Sequence, residues 1–192
     1  MKIILLTLSF CAVINTAIAQ NTPANDATLN DKQHELTSDE KNAVSNIIAF
    51  KDADTFLKYL NICGLVQTFN NPGPLTVFLP PDSAFNKLSP GKRDTLLSRA
   101  DKFDLIALIT YHALPGKVSV KNIAKEIAKQ KGTAVFRTIS GAPLKAKFDE
   151  YRNIVLIDEN GGRSTLQKAD IKQKNGMLHI VSAVLMPRFK AI

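Results

Sequence analysis

The chain has 192 residues, 45% of them hydrophobic and 22% charged, and a formal net charge of +8. That length fits one domain of roughly 100–200 residues with a tail, and the apolar content is enough for a packed core. Cys11 falls in an apolar leader, so the remainder holds Cys63 alone and closes no intramolecular disulfide.

Residues 1–19 read as a secretory signal peptide: Lys2, an apolar run, then Ala17-Ile18-Ala19 as the exit. Thr7, Ser9 and Asn15 interrupt the run and no second apolar segment follows, which argues against a transmembrane anchor. Phe10, large and just before Cys11, argues against lipidation. Residues 20–37 are polar and aperiodic, a disordered spacer. The expectation is an exported protein, periplasmic or secreted, of a bacterium. Without disulfides, its fold must be held by burial. Cys63 sits in an apolar setting and reads as a small buried hydrophobe.

The folded region is expected over residues 38–189. Thr37 and Glu40 make a capping box ahead of a helix carrying Ala43, Val44, Ile47 and Ile48 on one face. A second helix starts at Asp52, turns Phe56, Leu57 and Leu60 inward, and stops before Gly64. Asn70-Asn71-Pro72-Gly73-Pro74 is a turn cluster. Leu75 to Leu79 is apolar on both faces, as in a strand covered on both sides. Pro80 and Pro81 lack N–H donors and end it, and Asp82 is placed to cap a helix beginning at Ser83. A third helix spans 101–112 with Phe103, Ile106, Ile109 and Tyr111 as its buried stripe, and a fourth carries Val120, Ile123, Ala124 and Ile127. The period then changes to two. Strands are expected at 134–140, 143–149, 153–158, 163–168 and 177–186, separated by turns such as Asn160-Gly161-Gly162 and Asn175-Gly176. Helices first and strands after describe an α+β fold with an antiparallel sheet.

Three segments together resemble the fasciclin-like (FAS1) domain family. They are Thr76-Val77-Phe78-Leu79-Pro80-Pro81-Asp82-Ser83-Ala84-Phe85, then Tyr111-His112-Ala113-Leu114-Pro115-Gly116, then the stretch from Leu166 to Pro187 with its Ala-Asp-Ile, Asn-Gly and His. The resemblance implies a wedge-shaped β-sandwich with an N-terminal helix and flanking helices. It also implies an extracellular adhesion or interaction module, usually without enzymatic activity. In animal members the matching Asp-Ile and Tyr-His positions are implicated in integrin binding, which here points to Tyr111, His112, Asp170 and Ile171. This chain departs from the family pattern at Pro81, where Thr is usual, and at Ser182, where Asp is common. It has no Arg-Gly-Asp.

Read from the residues themselves, His112 and His179 are satisfied core groups rather than metal ligands, since no HExxH or paired-cysteine spacing accompanies them. Asp170 is either a recognition acid or a strand terminator that bonds backbone. Gly176 serves a turn that needs positive φ. No Gly-x-Ser-x-Gly elbow or P-loop occurs, and Asp149-Glu150 and Asp158-Glu159 sit at turns, where neighbours do not face one gap. No cofactor is called for. Charge is uneven: 9 basic and 11 acidic residues lie between Asn21 and His112, against 15 and 6 between Ala113 and Ile192. The plain reading is a solvated face. The sharper one is an anion-attracting surface that includes Lys168, Lys172, Lys174, Arg188 and Lys190. Nucleic acid is a poor partner, because the aromatics follow the core pattern. The expected function is a non-enzymatic adhesion or interaction module for an extracellular protein or acidic polysaccharide. The alternative, which the resemblance implies because some relatives of this fold are similar to pigment binders, is a carrier of a small apolar ligand, carotenoid or lipid-like.

Overall fold

The apolar run Leu75–Leu79 forms strand β1, and all of it is buried. The computed structural model describes residues 40–71, 73–91, 96 and 102–189. The expected signal peptide, spacer, Thr37 cap and Lys190 lie outside the described residues, and so does Pro72 within the turn cluster. The first helix, α1 (Ala43–Ala49), starts later than the capping box suggests: Asn42 is its N-cap and accepts from the Ser45 N–H. Next come α2 (Asp54–Ile62) and α3 (Val66–Asn70), joined through Gly64 at φ +70. After β1 come α4 (Asp82–Asn86), α5 (Lys102–Tyr111), β2 (Ala113–Pro115) and α6 (Val120–Lys129). The remaining strands are β3 (Thr133–Arg137), β4 (Pro143–Phe148), β5 (Ile154–Ile157), β6 (Arg163–Gln173) and β7 (Gly176–Val181).

These strands form one sheet in the order β2-β1-β7-β6-β5-β4-β3. The α+β reading holds. Every pairing is antiparallel, as expected, save one: β1 and β7 run parallel, from Leu75 opposite Gly176 to Leu79 opposite Ile180. No hairpin joins that pair, so no turn dictates their relative direction. β6 is longer than its expected span because two register irregularities, between Leu166 and Lys168 and between Lys168 and Ile171, carry it through a bend. Its first part pairs with β5 and its second with β7, so it belongs to both halves of the sheet.

Each half has its own core. Leu75, Val77 and Leu79 of β1 and Leu178 and Ile180 of β7 pack with Phe56, Leu60 and Phe69 from the helices. The alternate residues Phe78 and Val181 face the other way, into a second core with Leu144, Ala146, Leu156 and the α6 residues Ile123 and Ile127. The first half is therefore covered on both faces, the reason β1 reads as an unbroken apolar run. In α5 the buried residues are Leu105, Leu108, Ile109, Thr110 and Tyr111, whereas Phe103, expected inside, is 74% exposed. The helix is apolar almost all round, so periodicity alone did not choose its inward face.

Candidate functional site

Asp82 corrects the sequence expectation. It stands inside α4, whose own N-cap position is Pro81, and its carboxylate reaches across to α2. There it accepts from the N–H groups of Asp54 (3.1 Å) and Thr55 (2.8 Å), which have no partner within their helix. Burial would raise its pKa, but the hydrogen bonds from Thr55 and Asp54 outweigh it and hold the carboxyl below its ordinary value. The two prolines thus stop the strand and aim the acid at a neighbouring helix.

His112 and His179, the two histidines among the described residues, are buried, and the ring nitrogens of each are occupied by backbone. His112 Nδ1–H donates to Leu108 (2.9 Å), and Nε2 accepts from the Leu185 N–H (3.0 Å). His179 takes the opposite tautomer: Nε2–H donates to Val118 (2.8 Å) and Nδ1 accepts from the Asp170 N–H (3.1 Å). Burial pushes the His112 imidazole down to about 4, against the pull of its bond to Leu108 and of the Asp158 charge. Burial also lowers His179, against its bond to Val118 and the Asp170 charge. Both are thus held neutral at pH 7, as core groups.

The residues implied in partner binding fall along one path through the sheet. His112 carbonyl accepts from the Phe78 N–H (2.8 Å), the Phe78 ring stacks on His179 at 5.5 Å, and His179 receives the Asp170 N–H. Tyr111 and His112 present no side-chain surface, being 0% exposed. The Tyr111 hydroxyl donates to Pro143 (2.8 Å). Its pKa is raised by burial first and then by the Glu159 and Asp158 charges. Asp170 lies at the β6 irregularity with φ +57, and its carboxylate accepts from the Val120 N–H at the start of α6 (2.9 Å). Ile171 is half-buried against the helical core. Lys168, Lys172, Lys174 and Arg188 are exposed. Cys63 is 5% exposed and burial raises its thiol pKa, opposed by Lys102, so it stays a thiol at neutral pH.

The chain after β7 explains why that strand is shorter than expected. Its N–H groups leave the ladder for side chains: Ala183 donates to Ser164 Oγ, Leu185 to His112, Met186 to Asp158 and Arg188 to Glu159. Val184 and Leu185 remain buried. Ser164, His112, Asp158 and Glu159 thus hold the backbone of this last segment.

Residues 51–187 match the Fasciclin domain family model. The chain belongs to the fasciclin domain family. Protein sll1483 of Synechocystis sp. is 27% identical over 134 residues, covering 69% of this chain and 66% of that protein. A second Synechocystis protein, sll1735, described as uncharacterized, is 26% identical, covering 76% of this chain and 97% of its own length. In fold, the chain is similar to a FAS1 domain pair from the insect cell adhesion molecule Fasciclin I, with a TM-score of 0.67 and 16% identity, covering 77% of this chain and 51% of that one. No helix of the described residues is long and apolar enough to cross a membrane.

Within this fasciclin fold, Asn175 is the residue whose role the sequence concealed. It reads as half of an Asn-Gly turn, yet its side chain is buried. It accepts from the Ala43 N–H (3.0 Å) and donates to Phe69 (2.7 Å) and Asn71 (3.0 Å). One amide thus ties α1 and the end of α3 to the β6–β7 hairpin. Gly176 does have the positive φ expected, +152. It also lies against β1 so closely that a Cβ there would fall on the Leu75 backbone.

Proposed function

We propose that this chain is an exported, non-enzymatic interaction module of the adhesion type, which engages an extracellular protein or acidic polysaccharide through its exterior. The carrying observation is where its polar groups are spent. Among the described residues His112, His179, Tyr111, Asp82 and Asp158 are committed to backbone partners, and an acid–base or nucleophilic pair needs groups free to exchange protons with a substrate. Membership of the fasciclin family and the likeness in fold to an insect cell adhesion molecule support the same reading. The test is to immobilise the purified protein and challenge it with extracellular proteins and a glycan array at two salt concentrations. Saturable capture is expected. Hydrolytic turnover that disappears in folded His112 or His179 variants would overturn the reading.

The second reading, a carrier of a small apolar molecule, rests on two adjoining grooves of about 650 Å³ and about 560 Å³ that share Pro187, Arg188 and Phe189. Met186 and Phe103 add apolar surface there. Solvent extraction of the freshly purified protein, followed by absorbance and mass spectrometry, decides it: a stoichiometric apolar compound favours the carrier.

A further inference from the structure

Strand register in the second half of the sheet sorts residues between two faces, with Val155 the one outward strand position of β5 that is buried. Val135 lies opposite Lys145, Lys145 opposite Ile157, and Ile157 opposite Arg163, so these four form one cross-strand row. Lys147 and Arg137 share their face, two residues along their own strands. The other face carries Ala134, Leu144, Ala146 and Leu156 into the core. Charged strand residues on the outward face are thus Arg137, Lys145, Lys147 and Arg163, and none is acidic. Lys145, Lys147 and Arg163 make no ion pair among the described residues.

Acids flank this face as well: Glu150 is exposed in the β4–β5 turn, while Asp149, Asp158 and Glu159 accept hydrogen bonds from nearby chain. Asp149 accepts from the Tyr151 and Asn153 N–H groups and the Asn153 amide, and Asp158 from Asn160, Gly162 and Met186. Glu159 accepts from the Arg188 N–H. The face thus offers four cations with acids at its edges: after the hydrogen bond from the Asn153 side chain, the Arg163 charge helps hold the Asp149 carboxyl down, and Glu159 shares a shallow groove with Lys145. Between the cations lie aliphatic groups: Val135 is 50% exposed and Ile157 half-buried. No aromatic residue occupies a strand position on this face, so it lacks the stacking platforms of single-strand nucleic-acid sites.

We propose that the outward face of β3–β6 is a landing site for a linear carboxylated polysaccharide, held by Lys145, Lys147, Arg163 and Arg137 and by aliphatic contact at Val135 and Ile157. This deepens the interaction-module reading and rests on it. A glycan of this class presents carboxylates at regular intervals along a chain with aliphatic ring edges. The face presents cations with aliphatic side chains between them, Lys145 and Arg163 lying two strands, or about 10 Å, apart on either side of Ile157. Such a site is distinct from the lysines flanking the last strand. It also differs from the α6 stripe of Lys121, Lys125 and Lys129, where Lys129 pairs with Glu126 at 3.7 Å.

The test measures binding of the purified protein to alginate at about 50 and 300 mM salt, with dextran, phosphatidylglycerol vesicles and duplex DNA as comparison ligands. Alginate is expected to bind best, and to lose affinity at the higher salt because exposed charges are screened within about 10 Å at 0.1 M. The double variant Lys145→Glu with Arg163→Glu should weaken alginate binding at least tenfold. Lys121→Glu with Lys125→Glu, the same change in net charge on α6, should weaken it less than threefold. If the first pair fails to fold, Lys145→Gln with Arg163→Gln removes the cations without adding acids and should still cost about fivefold. Equal losses in the face and helix variants overturn the proposal, as does tighter binding to vesicles or DNA than to alginate. Indifference to alginate with salt-resistant capture of an extracellular protein overturns this face and leaves the interaction module standing. Binding to neither overturns both.

Discussion

The two halves of the sheet are built from the same secondary structure and put to different use. In the half around β1 and β7 both faces are buried, and burial runs unbroken along each strand. In the half of β3, β4 and β5 one face is core, while on the other β3 and β4 carry Arg137, Lys145 and Lys147 and β5 supplies the buried Val155 and half-buried Ile157. Most polar side chains that lie deep in the first half are paired, many to backbone far away in sequence, although Asn70 Oδ1 and Gln173 Oε1 are buried without a partner. Charges on the second half are left for solvent or for a partner. The contrast predicts that substitutions in the first half cost stability, and that those on the outward face of the second cost binding.

The largest effect is expected where β7 meets β1. Gly176→Ala would place a Cβ on the Leu75 backbone at a φ that disfavours side chains, and should cost about 4 kcal/mol or more. Asn175→Ala removes one acceptor and two donated bonds from a buried site, leaving the Ala43 N–H and two carbonyls without partners, and should cost about 3 kcal/mol. Urea unfolding measures both. A loss below about 1 kcal/mol in either would break the contrast between the halves. The neutral pair Lys145→Gln with Arg163→Gln should stay within about 0.5 kcal/mol of the parent in the same experiment.

Acid should act on the first half next. His112 is neutral in the folded protein, with its pKa lowered to about 4, while in the unfolded chain it titrates near 6.5. Below about pH 6.5 the unfolded state takes up a proton that the folded state refuses. Stability is therefore full above that pH, falls as pH drops from about 6.5 to 4, and levels off below. The loss from His112 approaches about 3 kcal/mol, and His179 adds to it in the same direction. Urea midpoints at pH 7 and pH 4.5 should show the fall, and the imidazole nitrogen shifts of His112 should still report the neutral Nδ1–H form at pH 5. A protonated His112 ring at that pH would put the buried clamp in error.

A smaller step is expected at Asp82→Ala. It leaves two N–H groups at the start of α2 without their acceptor and should cost about 1–2 kcal/mol. The Asp82 pKa is lowered in the fold, so its contribution is present above the ordinary carboxylate range and is lost as pH falls through the folded value. Asp82→Asn keeps one acceptor oxygen and should recover part of the loss.

The features legible in the sequence are those decided over a few residues. The span Leu75–Leu79, the proline stop, the α6 stripe of Ile123 and Ile127 and strands β4 and β5 appear where local pattern puts them, while β3, β6 and β7 start there and end elsewhere. The satisfied state of the two histidines was legible too, because a lone imidazole in an apolar run has few other fates. What escaped is non-local. Asp82 pairs 27 and 28 residues back, and Asn175 pairs 132 residues back to Ala43. Nothing in the spacing of the chain announces such partners, and a polar residue beside a turn looks the same whether it serves the turn or a distant helix. The short helix α3 and strand β2 were missed for a related reason: each is too short to show a period, and tertiary contacts hold it. The basic face of β3–β6 lay hidden in a simple excess of lysine and arginine until register placed four of them together.

The smallest effect marks where the cover of the first half ends. Phe103 begins α5 with an aromatic side chain, and a helical stripe drawn through Ile106 and Ile109 would bury it. In the fold it is 74% exposed, while Leu105 and Leu108 turn inward. If the stripe drawn from sequence were right, Phe103→Ser would empty a core site and cost about 3–5 kcal/mol. From the exposed position it should change stability by less than about 0.5 kcal/mol, and Leu108→Ala should cost about 2–5 kcal/mol. Measured together by urea unfolding, the pair fixes the rotation of α5. A large loss at Phe103 with a small one at Leu108 would turn the helix over, moving the outer boundary of the doubly buried half with it.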